Sequence, residues 1–480
     1  MNAPRVTLLA SHERSLREYF TAAVDGHERA AVVLFRRLSI PLAGLHDSDR
    51  YIGVSVYPFE DGWVKDSSPS HIAFETAPLR EFYRRCEEEA LVFGFAHSHP
   101  TGFPTFSSTD DSNELSLLKA ISNRNGTGVS LVGLIWTGHT WKARVRSSIA
   151  PDESTPARHV LVPDRPLRVY RDGSGSTDDG AFLRQSAVFG KPFVNTLQSL
   201  RIGVVGLGGT GSPTATLLVR SGAGELVLID PDQLEESNLN RVRGVRRSDV
   251  GKNKARLLDG FITSIGLPTD VASLDGRVDT PQGVDAIASC DAVFGCTDDQ
   301  IGREVLNMAV YAYAQAYIDV GLGGQVATDA SGRTYLRYHH ARVSTILPEA
   351  GECLFCQGVL TEQRVRREYA LRENPSLTDA EARERYIEGG LDHAPGVGPF
   401  TSAAADFGVA TLYDLVAPFR KFPGELRWDA FSMDFVKMSF QSSSPRNDLD
   451  CPYCGTRQFL SMRESRRLNR PALGIRDVAL

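Results

Sequence analysis

One segment limits the fold of this chain more than any other. RIGVVGLGGTGS, residues 201–212, runs from an apolar stretch into a turn with Gly206, Gly208, Gly209 and Gly211, then into helix-forming sequence. Glycines let backbone approach phosphates closely, and a helix N-terminus favours negative charge there. Apolar runs at 201–206, 225–230 (ELVLID) and 291–296 alternate with helical segments at 211–221, 251–264 and 300–315. Such alternation predicts βαβ units and a parallel sheet covered on both faces, an α/β protein. A strand-rich stretch follows over 316–347. The glycine turn by itself fits any dinucleotide-binding fold, a dehydrogenase included.

The residues after it narrow the choice. Asp230 ends the next strand, placed to hold ribose hydroxyls. Then come SNLNR with Asn238 and Arg241, GKNK with Lys254, and CTDDQIGR with Asp298 and Arg303. Arg241 and Lys254 would neutralise a triphosphate, which NAD does not require, and Asp298 suits magnesium. This order resembles the ThiF/MoeB adenylyltransferase superfamily, which includes the ubiquitin-activating enzymes, over residues 181–480. The resemblance implies a Rossmann-like adenylating domain that binds ATP over Gly206, Gly208, Gly209 and Gly211. Asp230 would take the ribose, Asn238, Arg241 and Lys254 would line the nucleotide site with the two cations on the phosphates, and Asp298 would hold magnesium and support the adenylate. Arg184, in FLRQSAVFG, matches the arginine that reaches the partner subunit's ATP, which implies a homodimer. The sequence departs from the family at Val242, where glutamine is usual, and at Asp299, where asparagine is usual.

Of seven cysteines, four form the pairs Cys353/Cys356 and Cys451/Cys454. An odd count in a long chain argues against a secreted disulfide framework, and two CxxC knuckles suit a closed tetrahedral zinc site. The ThiF/MoeB family carries such a four-cysteine structural zinc. Residues 357–400, where thioester-forming relatives keep a catalytic cysteine, contain none. Cys290 and Cys296 read as core residues and Cys86 lies in the other half, so activation is expected to end at the acyl-adenylate.

The N-terminal 150 residues read as a separate mixed α/β domain. Helices are expected over 11–25, with Ser11 as N-cap, 77–90 and 109–122, and strands at 30–35, 91–96 and 129–136. Residues 151–180, with Pro151, Pro156, Pro163 and Pro166, read as a linker. GFAHSHPTGFPTFSSTDD carries His97, His99, Ser107 and Asp110. Histidines two apart on an extended strand point the same way. With Asp110 they make three ligands and leave a fourth position for water, as catalytic zinc requires. Glu28, just before the strand at 30–35, is the candidate base, and Ser107 the donor to a tetrahedral oxyanion. HSHP followed by SxxD resembles the JAMM/MPN (JAB) metalloprotease family, which implies those same roles for His97, His99, Asp110, Ser107 and Glu28. His71 and His139 read as structural or exposed.

Together the motifs imply a bifunctional enzyme. A zinc (iso)peptidase and an adenylating domain would act on the C-terminal glycine of ubiquitin-like proteins. An alternative is sulfur-carrier activation in cofactor or metabolite synthesis, and a third reading makes one domain a decayed binding module. A net charge of −6 leaves no basic footprint for nucleic acid and would be repelled by an anionic membrane surface. No apolar run approaches the roughly 20 residues that span a bilayer. The polar N-terminus does not read as a signal peptide, so the expected location is cytoplasmic. The arginines of RVRGVRR and RVRREYALRE, apart from Arg241, read as solvated, and TDAEARERYIE (378–388) as an exposed helix capped by Thr378 and Glu381.

Overall fold

The computed structural model describes residues 3–23, 25–46, 48–171, 180–374, 396–424 and 426–460. The segment 378–388 lies outside them. The described residues form two compact units, one within 3–41 and 46–171 and the other of residues 180–460 together with 42–45.

The first unit is a nine-stranded sheet. Its strands are β1 (Arg5–Thr7), β2 (Ala30–Leu38), β3 (Arg50–Pro58), β6 (Val92–Ser98), β7 (Ser130–Trp136), β8 (Trp141–Ser147), β9 (Ala150–Pro156), β10 (His159–Val162) and β11 (Arg168–Tyr170), while β4 (Val64–Ser68) and β5 (His71–Phe74) pair separately. The order is β11-β10-β1-β3-β2-β6-β7-β8-β9. Three helices cover it: α1 (Ala10–Thr21), α2 (Arg80–Glu88) and α3 (Ser108–Asn125). The run AAVVLF lacks polar alternation because both faces of β2 are covered. Ala31, Val33 and Phe35 pack with Leu16 and Phe20 of α1, and Ala30, Val32 and Leu34 with Phe82 of α2 and Leu117 and Leu118 of α3. Strand β2 runs antiparallel to β6 with Ala30 opposite His97, and α3 is the crossover from β6 to the parallel β7.

Two expectations need correction. Residues 150–171 are not a connection but carry β9, β10 and β11. Pro151 and Pro156 lie on β9, an outermost strand, where a missing N–H need cost no ladder bond. Helix α1 starts one residue before Ser11, with Leu9 as N-cap and no side-chain cap.

The second unit holds an eight-stranded sheet. Strands β12 (Arg201–Val205), β13 (Glu225–Ile229), β14 (Asp270–Leu274), β15 (Ala292–Gly295) and β16 (Ala316–Thr328) are parallel, and β17 (Thr334–Ile346), β18 (Ala430–Asp434) and β19 (Ser439–Ser442) continue the sheet antiparallel. The helices are α4 (Leu183–Phe189), α5 (Lys191–Ser199), α6 (Gly211–Arg220), α7 (Lys254–Ile265), α8 (Pro281–Ala288), α9 (Gln300–Tyr313), α10 (Glu362–Glu373) and α11 (Gly398–Val416). In the order β14-β13-β12-β15-β16-β17-β18-β19, the chain leaves β12 toward β13 and later returns on its other side as β15. That reversal opens a crevice beyond the carboxyl ends of the strands. The register aligns those ends, with Val205 opposite both Ile229 and Gly295. No helix among the described residues is long and apolar enough to cross a membrane.

Candidate active sites

A cavity of about 900 Å³ fills that crevice, and Gly206, Gly208, Gly209, Asp230, Asn238, Arg241, Lys254 and Asp298 all line it. Gly206 has φ +82°, and a Cβ there would lie 2.8 Å from the Thr297 nitrogen. Gly211, one turn on, would put a Cβ 1.7 Å from the Gly206 oxygen. Both must be glycine for strand and helix to meet this closely. Nothing stands within 4 Å of the missing Gly208 side chain, which leaves bare backbone facing the cavity.

Asp230 is buried, and its two oxygens accept from the backbone nitrogens of Leu207, at 2.5 Å, and Asp232, at 2.8 Å. Burial raises its carboxyl, and those amides and Lys254 pull against the rise. The carboxylate is thereby fixed in orientation, with lone pairs left for hydroxyl donors. Lys254 opens α7, with Nζ 3.0 Å from Asp232 Oδ2. Arg241 is steered by the Ser237 carbonyl, 2.6 Å from Nη1, and has no carboxylate partner among the described residues. Asn238 caps its own turn, its Oδ1 accepting from the Glu235 nitrogen at 3.2 Å. Asp298 ends the loop before α9, and Asp299 is the N-cap of that helix, accepting from the Gly302 nitrogen. Aspartate and asparagine cap equally well, so the departure at Asp299 leaves the turn intact. Val242, the other departure, is buried. Arg184 is exposed on α4 and does not line the cavity.

The four cysteines converge although 98 residues separate the paired ones. Cys353 and Cys451 have sulfurs 3.7 Å apart, and Cys356 and Cys454 3.5 Å. A tetrahedral zinc with bonds of about 2.3 Å has edges of about 3.8 Å, whereas a disulfide needs about 2.05 Å. The donor set fits a closed zinc site.

In the first unit, His97, His99 and Asp110 come together and are buried. The two Nε2 atoms are 3.1 Å apart, and Asp110 oxygens lie 2.9 Å from His97 Nε2 and 3.4 Å from His99 Nε2. Zinc–nitrogen bonds of about 2.1 Å imply edges of about 3.4 Å, so the set fits zinc. His99 Nδ1 lies 3.0 Å from the Phe103 carbonyl, which orients that ring. Burial would raise the Asp110 carboxyl, but its bonds to His97 and His99 hold it well below the usual carboxylate range. Ser107 is the N-cap of α3, its Oγ accepting from the Asp110 nitrogen at 3.2 Å while its own nitrogen donates to Asp110 Oδ2 at 2.6 Å. That capping box aims Asp110 and leaves the Ser107 hydroxyl proton for another acceptor. Carried two residues past Ala30–His97, the β2–β6 register sets Glu28 beside His99. Glu28 is buried, which raises its carboxyl, and His97 and His99 pull it back. His71 bonds Asp66 and Ser68, a structural role.

The cavity also holds groups outside the sequence motifs. Arg342 and Arg364 line it. Arg364 belongs to RVRREYALRE, which is expected to be solvated; Arg364 and Arg366 are exposed, but Arg367 is buried and Arg372 reaches Asp279 at 2.7 Å. A 3.6-residue reading of charge could have separated these faces, but α10 has no apolar stripe to set its phase.

A sequence model of the ThiF family matches residues 182–452. The Escherichia coli sulfur carrier protein ThiS adenylyltransferase is 33% identical over 126 residues, 26% of this chain and 50% of that protein. The SAMP-activating enzyme E1 of Haloferax volcanii is 36% identical over 111 residues, 23% of this chain and 41% of that protein. The matches therefore span half or less of these relatives. A crystal structure of E. coli MccB with ATP aligns at TM-score 0.42 and 19% identity, covering 59% of this chain and 76% of that one. By a family match that takes in more than half of its residues, the chain belongs to the ThiF family.

Proposed function

We propose that residues 181–480 use ATP and magnesium to adenylate the C-terminal glycine carboxylate of a ubiquitin-like or sulfur-carrier protein. A carboxylate oxygen attacks the α-phosphorus, the bond to the bridging oxygen of the β-phosphate breaks, and pyrophosphate leaves. Asp230 holds the ribose, Arg241 and Lys254 the phosphates, and Asp298 the magnesium. The observation that carries this reading is their convergence on one cavity over bare glycine backbone. The similarity to an adenylyltransferase named for a sulfur carrier keeps the sulfur-transfer pathway as the second reading. Arg184, exposed and away from its own cavity, suits a homodimer in which it serves the neighbour's site. The test is ATP–pyrophosphate exchange with proteins ending in glycine. Exchange dependent on such a protein and on Asp298 is expected; none across a broad panel would refute the reading.

Within residues 1–150 we propose a peptidase of the JAMM/MPN kind that acts on the same tails, trimming precursors or cleaving conjugates. The support is the buried triad of His97, His99 and Asp110 with Glu28 beside it. Zinc, when bound, polarises a carbonyl and brings a bound water to a pKa of about 7. Glu28 accepts the water's proton and returns it to the leaving amine, and Ser107 donates to the oxyanion.

A further inference from the structure

The nucleotide cavity has a second cationic wall that the motifs leave unassigned. Arg241 and Lys254, proposed for the phosphates, belong to the wall beyond β12 and β13, and Asp298 follows β15. Past β15 the wall is formed by Gly321 and Leu322 on β16, Arg342 on β17, the Gln357–Val359 turn and Arg364 on α10. Arg342 is tethered there: Nη1 donates to Ser344 Oγ at 2.7 Å, and Nη2 pairs with the fully buried Asp319. Asp319 also takes Arg303 Nε at 3.1 Å and the Tyr317 hydroxyl at 2.7 Å. One carboxylate between two guanidiniums leaves this group with a net positive charge.

Arg364 adds a second charge. Its neighbours on α10 are committed, Arg366 to Glu362 at 3.1 Å and Arg372 to Glu368 at 2.9 Å, but Arg364 has no ion pair among the described residues. The helix is held in place. Thr361 caps it, Val365 is buried, and Glu368 accepts from the Gln300 nitrogen at 2.5 Å, at the helix start that follows Asp298. The adenylation reading, on which this inference rests, requires an anionic carboxylate to meet the α-phosphorus between the two walls. The nucleotide's own charge is met on the first wall. The second offers cations beside a strand poor in side chains, VGLGGQ, where an extended terminal segment can lie.

We propose that Arg364, seconded by Arg342, is a specificity-determining residue that recognises the free C-terminal carboxylate of the acyl substrate, with α10 as the cap that presents it. The probe is a decapeptide ending in Gly-Gly, as free acid and as amide. Each is titrated calorimetrically into the full chain loaded with magnesium and a non-hydrolysable ATP analogue. One charge-assisted contact is worth roughly tenfold in affinity. The wild-type chain should favour the acid by about that factor, Arg364→Gln should abolish the preference, and Arg364→Lys should restore part of it. Affinity for the analogue should stay within about twofold in both variants. Arg366→Gln, on the same helix, should change nothing. Equal binding of acid and amide by the wild type would overturn the proposal, as would Arg364→Gln weakening the analogue in place of the peptide. A chain that binds no analogue at all would instead sink the adenylation reading beneath it.

Discussion

Helix α3 carries Asp110 in its first turn, and its orientation rests on a buried charge cluster one turn further along. Glu114 is fully buried and accepts from Arg144 Nε at 3.1 Å and Arg146 Nε at 2.8 Å. Both arginines also reach Asp111, and Arg146 Nη1 donates to the Pro151 carbonyl at 3.1 Å. The two arginines share one face of β8 because side chains alternate along a strand. Burial pushes the Glu114 carboxyl up, and the guanidiniums pull it back without cancelling the rise. Removing Arg146, itself 3% exposed, as Arg146→Met therefore leaves a carboxylate half-paired in the core. Breaking a buried pair in this way costs about 3–5 kcal/mol. At about 2–4 °C per kcal/mol for a unit of this size, the transition should fall by roughly 6–20 °C in scanning calorimetry. On the proposed peptidase reading, zinc affinity of the His97 set should fall with it, since α3 aims Asp110. Replacing both partners, Glu114→Leu with Arg146→Met, should recover much of the loss because no uncompensated charge remains. A drop under about 2 °C for Arg146→Met, or a double variant as unstable as the two single losses summed, would refute the reasoning.

Three further outcomes are expected. Glu28→Gln should lower cleavage of a C-terminally extended ubiquitin-like substrate by about 10²–10⁴ while zinc measured by elemental analysis is unchanged; normal cleavage would assign the base elsewhere. Cys451→Ser should cost one zinc per chain and destabilise the second unit, because metal binding is folding free energy there, and unchanged melting would end the structural role. Arg184→Ala mixed with Asp298→Ala should regain part of the exchange activity, since a mixed dimer holds one intact composite site; no recovery in proven mixed dimers would defeat the shared site.

The parts legible in sequence were those in which one local rule decides the outcome. Gly206 and Gly211 announce the strand-to-helix turn because steric contact leaves no other residue possible, and the structure places both where a Cβ would clash. His97, His99 and Asp110 follow from strand alternation and a capped helix start, both local, and they meet within one cluster. Where tertiary context decides, sequence misled. The prolines of 151–171 signalled a connection, yet a strand at the sheet's edge tolerates Pro151 and Pro156. Ser11 is a better cap than Leu9 by propensity, but α1 begins ahead of it. Arg342 and Asp319 sit on two different strands and meet only when β16 and β17 pair, with Gly321 opposite Arg342. Arg364 was hidden among the other charged side chains of RVRREYALRE, where no apolar stripe marks which face is covered.

The same geometry bears on where the proposed adenylation would stop. A thioester needs a thiolate that can reach the adenylate. Cys353, Cys356, Cys451 and Cys454 are gathered as a metal-ligand set. Cys290 is fully buried. Cys296 does line the cavity, but burial pushes its thiol up to about 12. It lies against Thr214 Oγ1 at 3.7 Å, in the packing beneath the glycine turn. A thiol raised in this way is a poor nucleophile at neutral pH, and its β-carbon sits 3.2 Å from where a Gly211 side chain would begin, part of the close packing of that turn. Residues 357–400 supply no cysteine. If the second unit adenylates a carboxylate as proposed, the product is expected to leave as the adenylate, to a nucleophile brought by another protein or small molecule. Intact-mass analysis after mixing the chain with ATP, magnesium and an exchange-competent carrier should show no adduct that a reductant removes. A covalent carrier adduct lost on reduction, and absent from Cys296→Ala, would overturn this conclusion and make the buried thiol a participant.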